Sequence, residues 1–165
     1  MGKTKKLSFM AMLTALALGI FVLEAQIPVP LPIPGIKLGL ANIITLAAML
    51  LLGKKEAGTI LLMRIIMGSM FAGSPASLIY SIAGGTLAYI AMCICTSLIP
   101  EKYLWITSAI SGVCHNAGQL AACALIVKTP QILVYAPILA ASGLITGVFT
   151  GIAAKYLVKA LRNSK

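Results

Sequence analysis

Aspartate is absent from this chain of 165 residues, and its only acids are Glu24, Glu56 and Glu101. A magnesium-diphosphate enzyme gathers its metal through clustered carboxylates, and three scattered glutamates cannot form such a cluster. The single histidine, His115, lies one turn from Ser111, but no acid is nearby to orient its imidazole, so a hydrolase triad is excluded. Cysteine occurs at 93, 95, 114 and 123 without a C-x-x-C pair or a second histidine. Structural zinc therefore lacks a ligand set, and these thiols read as small apolar filler. No G-x-x-x-x-G-K-[ST] string provides a phosphate cradle for ATP. Catalytic residues, a metal and a cofactor are accordingly not expected.

Charge is scarce as well, at 10% of residues against 60% hydrophobic, with a mean hydropathy of +1.03. A water-soluble fold has no means of hiding so much apolar surface. Apolar runs of about 20 residues recur between short Pro, Gly or Lys breaks, each long enough to cross a hydrocarbon layer of roughly 30 Å as a helix, the second and third being the short ones. The sequence predicts an all-α, polytopic membrane protein with a single domain over 1–165, a compact bundle of six transmembrane helices in the cell membrane. The spans fall at residues 7 to 27, 38 to 53, 56 to 73, 75 to 98, 103 to 127 and 132 to 158, with short basic tails at about 1–6 and 159–165. The first apolar run exceeds a signal-peptide core of roughly 7 to 15 residues and reads as a span instead.

Lysine and arginine give a net charge of +10, but their positions matter more than their sum. Lys3, Lys5, Lys6, Lys54, Lys55, Lys102, Lys155, Lys159, Arg162 and Lys165 fall on one side of the six spans, Lys37 and Lys128 on the other. Ten against two puts both termini in the cytoplasm. Orientation explains the basic surplus, and no nucleic-acid-binding module is visible.

The remaining signal is polar residues inside spans, where a central charge costs about 2.5–3.5 kcal/mol on the lenient insertion scale. Arg64 lies roughly 12 Å along its helix from Glu56. The segment "SGVCHNAGQLAACALIV" places His115 just past the midplane, with Gln119 one turn further on the same face and Asn116 bordering it. Asn42, Tyr80 and Glu24 approach similar depth from other spans. Two readings stand: hydrogen-bonding glue between helices, or the polar wall of an outward-facing pocket. Ser69, Ser77 and Thr86 read as glue, because hydroxyls can bond to their own helix.

Two further stretches bear on function. "QIPVPLPIPGIKLG" has four prolines and cannot continue a helix. It is either a plain linker or a lid whose Val29, Leu31 and Ile33 pack over a ligand, with Lys37 beside them. In the first span, Ala11, Ala15 and Gly19 form a row of small residues on which another helix can pack, from this chain or from a partner.

The strings "GIKLGLANIITLAAMLLLG", "LLMRIIMGSMFAGSPASLIYSIAGG", "ISGVCHNAGQLAACALI" and "YAPILAASGLITGVFTG" resemble the Gx transporter family, also called heptaprenyl diphosphate synthase component I, from about residue 7 to residue 158. That family in turn resembles the S components of energy-coupling factor transporters, six-helix proteins that capture a vitamin or related metabolite. The resemblance implies a substrate-binding importer subunit whose partners are a small-molecule substrate, a transmembrane coupling subunit, ATPase subunits and membrane lipid. It places Asn42, Arg64, His115, Asn116 and Gln119 in the family signature and makes Ala11 and Ala15 the docking strip. The alternative it leaves is a non-catalytic membrane subunit associated with polyprenyl diphosphate or quinone biosynthesis. Arg64, Lys37 and His115 suit an anionic or carbonyl-bearing substrate.

Overall fold

In the computed structural model the described residues are 2–24, 26, 38–72 and 75–163, and their regular structure is entirely helical. Six α-helices follow one another: α1 Lys3–Glu24, α2 Asn42–Leu51, α3 Lys54–Ala72, α4 Pro75–Leu98, α5 Leu104–Val127 and α6 Ala136–Asn163. Short 3-10 helices, Glu101–Tyr103 and Pro130–Tyr135, lead into α5 and α6. The expected spans 75 to 98 and 103 to 127 coincide with α4 and α5 to within one residue. α4 opens on Pro75, whose missing N–H has no intrahelical partner to lose. α5 stops at Lys128, which takes the left-handed conformation (φ 53°), with Pro130 just beyond.

The second span, expected over 38 to 53, is shorter than that. α2 has ten residues and rises roughly 15 Å, about half the hydrocarbon layer. Glycines in the left-handed region bound it, Gly39 at φ 81° and Gly53 at φ 108°. The chain therefore turns out of the helix at both ends, at little steric cost. Lys3–Glu24, Pro75–Leu98, Glu101–Val127 and Gln131–Asn163 are each long and apolar enough to cross a membrane. α3 has sufficient length at 19 residues, but it carries Lys54, Lys55, Glu56 and Arg64.

The distribution of residues is inverted relative to a soluble domain. Leu16, Met70, Phe71, Ile94, Leu125, Ile145 and Phe149 face outward, whereas Glu24, Asn42, Arg64, Ser111, His115, Asn116 and Gln119 are buried. In water that arrangement would expose a large apolar surface while desolvating polar groups. In lipid, apolar side chains meet apolar tails, and the polar groups find one another inside the bundle.

Small residues hold the helices close. A Cβ on Gly147 of α6 would come within 2.6 Å of the Ala109 Cα of α5, and one on Gly118 of α5 within 2.6 Å of the Ala83 carbonyl oxygen of α4. Such close approach gives dispersion contact where no hydrophobic effect operates between helices. Ser108 and Thr150 add a hydrogen bond of 2.8 Å across the α5–α6 seam. Leu13, Ile44, Leu46, Met49, Ile60, Met92 and Leu104 form the principal apolar core.

One end of the bundle is tied by polar contacts. Lys6 donates to the Glu56 carboxylate, Lys54 donates to the Cys93 carbonyl (2.8 Å) and the Ser97 hydroxyl (2.6 Å), and Arg162 forms a two-pronged pair with Glu101 (2.7 and 3.2 Å). These bonds bring the starts of α1 and α3 and the ends of α4 and α6 to a common face, together with the turn into α5. The basic residues of the helix ends thus gather on the face that holds both chain ends. In a cysteine-free background, Asn163→Cys should resist an impermeant maleimide in intact cells and react in inverted vesicles, and Lys128→Cys should behave oppositely. Labelling of both positions from outside would refute the cytoplasmic assignment of that face.

Candidate functional site

At the opposite end of α1, Phe21 and Glu24 lie one turn apart and are both buried. A Glu24 carboxylate oxygen accepts a hydrogen bond of 2.5 Å from the Gly39 N–H. This bond pins the end of α1 to the turn that starts α2, and it places a negative charge where the first N–H groups of that helix emerge. A side chain at Gly39 would be strained by its φ of 81° and crowded: a Cβ there would lie 3.1 Å from both Asn42 Nδ2 and His115 Cδ2. The two side chains, from α2 and α5, therefore press on one glycine.

His115 and Gln119 are stacked one turn apart on α5, facing α4. A Cβ on Gly84 would fall 2.7 Å from Gln119 Cγ and 3.1 Å from His115 Cε1. The next residue, Gly85, looks toward α3, where its Cβ would sit 3.0 Å from Ile65 Cδ1 and 3.8 Å from Arg64 Nη2. The adjacent glycines thus let α4 touch both halves of the polar cluster. Tyr80, one turn before Gly84, packs on Ala122 and Cys123 of α5.

Arg64 closes the circuit. Its guanidinium lies 5.8 Å from the centre of the Phe21 ring, a cation–π distance, and Phe21 sits one turn before the buried Glu24 on α1. Gly68, one turn further along α3, leaves space for that ring, because a Cβ there would be 2.7 Å from Phe21 Cε1. Arg64 is 3% exposed, yet Nε and Nη2 have no hydrogen-bond acceptor among the described residues. Contacts thus run from α1 through α2, α5, α4 and α3 and back to α1.

Asn116 takes a different direction. Its Nδ2 donates to the Leu139 carbonyl of α6 at 2.7 Å, as expected of a residue rotated about 100° from His115. Oδ1 of the same side chain has no hydrogen-bond partner among the described residues. Ser111 is buried and donates to the Thr107 carbonyl of its own helix. Thr45 and Ser77 are also buried, with hydroxyls lacking a partner among the described residues. Among the described residues no group of three potential metal ligands converges. The lid residues Val29, Leu31, Ile33 and Lys37 lie outside the described residues.

Ala11, Ala15 and Gly19 are exposed along α1, and a Cβ on Gly19 would meet nothing within 4 Å. Leu13, Ala17 and Phe21 form the opposite, buried side. The small-residue strip is therefore not covered by another described helix.

Sequence reasoning did not single out Phe21, Gly39, Gly68, Gly84 or Gly85, although their placement defines the cluster. The Gly84-Gly85 pair in mid-helix is the one available local signal, since a helix interior otherwise disfavours glycine.

These features define a membrane-type helical protein with a buried polar cluster shared among five helices. Residues 13–157 match the family described as heptaprenyl diphosphate synthase component I, and the chain belongs to that family. No curated protein and no solved structure matches it.

The geometry separates two roles by their effect on stability. Asn116→Leu removes an interhelical hydrogen bond and should lower stability by about 0.6–2 kcal/mol. The double variant Glu24→Gln, Arg64→Met removes both buried charges together and should leave stability within about 1 kcal/mol of wild type or raise it. Reversible unfolding in detergent measures both, and a large loss in the double variant would make Arg64 a structural tie.

Proposed function

We propose that the chain is the substrate-binding component of an energy-coupling factor type importer in the cell membrane, capturing a small metabolite beside the buried polar cluster. The observation that carries this reading is Arg64: a cation buried in the bundle whose Nε and Nη2 have no acceptor among the described residues. A purely structural arginine at this depth should have its donors satisfied, because each lost bond in a low-dielectric interior is costly. A carboxylate, phosphate or carbonyl group on a substrate supplies acceptors in a geometry that the planar guanidinium recognises well. Asn42, His115 and Gln119 lie on neighbouring helices and offer both donors and acceptors for the rest of such a molecule.

The same reading assigns binding to this chain and energy to its partners. With no phosphate-cradling loop of its own, it requires ATPase subunits and a transmembrane coupling subunit, and the uncovered Ala11–Ala15 strip suits close packing by that subunit's helices. It assigns no catalysis to the chain. The family description favours a second reading, a non-catalytic membrane subunit of a polyprenyl diphosphate or quinone enzyme. Under that reading the polar cluster joins helices, and the purified chain holds no small molecule.

Mass spectrometry of material co-purifying in mild detergent distinguishes the two. The importer reading expects a bound anionic or carbonyl-bearing metabolite. Arg64→Gln, His115→Ala and Gln119→Ala should each fold and bind that metabolite roughly 5- to 150-fold more weakly, through the loss of a buried hydrogen bond. Unchanged affinity in all three would leave the cluster as helix glue and favour the second reading.

Docking is tested separately. Ala11→Trp combined with Ala15→Trp should abolish co-purification with the ATPase module and uptake, while metabolite affinity stays within about twofold. Normal uptake by this variant would remove the strip from the docking surface.

A further inference from the structure

At the face that holds both termini, a recess of about 310 Å³ opens between the starts of α1 and α3. Its charged walls are Lys3, Lys6, Lys55 and Glu56, so three lysines against one glutamate leave a net charge of +2. Lys6 is engaged with Glu56, whereas Lys3 and Lys55 are exposed. Leu7, Met10 and Thr59 line this recess and also a second one, an apolar groove of about 390 Å³ that continues along α1 and α3 toward the membrane interior. Ala11, Ala15, Ile60, Met63 and Met67 line the groove. Met63 and Met67 are 48% and 41% exposed along it, so no described part of the chain covers them.

A basic head recess leading into an apolar channel within the membrane matches one chemistry, that of an amphiphile with an anionic head and a long hydrocarbon tail. We propose that the α1–α3 groove binds an anionic phospholipid of the leaflet that meets the termini, its phosphate against Lys3 and Lys55 and one acyl chain along Ala11, Ala15, Met63 and Met67. Basic pockets between membrane helices on the cytoplasmic side hold anionic head groups in this way. The small side chains of Ala11 and Ala15 make the groove deep enough for a chain, and the methionines adapt to its shape. Glu56 is engaged by Lys6, leaving Lys3 and Lys55 to carry the uncompensated charge. This site is separate from the polar cluster; it shares Ala11 and Ala15 with the proposed docking strip, so the lipid fills the groove of the free chain and gives way where a coupling subunit packs on α1.

Native mass spectrometry of the full chain, titrated with phosphatidylglycerol or phosphatidylcholine of identical acyl chains, tests the proposal. Wild type should retain one phosphatidylglycerol with a preference of about tenfold or more over phosphatidylcholine. Lys3→Gln combined with Lys55→Gln should bring the preference to within about twofold. Ala15→Phe, which fills the groove and leaves the lysines intact, should weaken retention of both lipids. Lys155→Gln combined with Lys159→Gln, near the end of α6 and outside the groove, should behave as wild type. An undiminished preference in the Lys3/Lys55 variant would overturn the proposal. Equal loss in the Lys155/Lys159 variant would also overturn it, since the attraction would then be a diffuse property of the basic face.

Discussion

A full positive charge placed among hydrocarbon has to be answered from within the protein, and the architecture around Arg64 is that answer. The guanidinium is met by the face of the Phe21 ring, and α1 carries the buried Glu24 one turn beyond that ring. Glu24 in turn is held by the Gly39 N–H, so the position of that carboxylate depends on where α1 ends and α2 begins. The shortness of α2 belongs to the same constraint. Had that helix continued outward in place of the turn at Gly39, the Gly39 N–H would not be offered to Glu24, and Asn42 would not share a glycine with His115. Among the described residues Arg64 meets an aromatic face, while its Nε and Nη2 find no acceptor.

Much of the fold was legible because lipid imposes simple rules on a chain. Apolar runs of about 20 residues can only be helices when backbone groups have no water to bond, so α4 and α5 were readable nearly to the residue from their Pro, Gly and Lys boundaries. The length of α2 was not. It depends on Gly39 and Gly53 both adopting positive φ, and glycine permits that conformation without requiring it. The common face of the helix ends followed from lysine counting, since charge placement survives errors of several residues in a boundary.

The polar cluster was legible in its members and not in its wiring. Helical spacing puts His115 and Gln119 on one face, whatever the rest of the fold does. It cannot say which neighbour Asn116 meets, because that depends on the rotational phase of α6, and the structure turns its amide nitrogen to Leu139. Phe21 reads in sequence as one more apolar residue of a span. Its position over Arg64 is set by Gly68, 47 residues away along the chain. Such relations are properties of pairs of helices and leave no periodic trace in either one.

The glycines that space α4 against α3 and α5 also divide the protein into parts that can and cannot vary. At Gly84, even one added carbon would meet the His115 carbonyl oxygen at 2.9 Å, so a substitution there displaces backbone and every group in the cluster along with it. Replacing His115, Gln119 or Asn42 changes what is presented without changing the spacing. Under the importer reading, a lineage of such proteins exchanges one ligand chemistry for another by altering a few side chains over a fixed frame, while its glycines stay as they are. The history of specificity would be recorded in the polar positions, and the history of the fold in the positions that have no side chain.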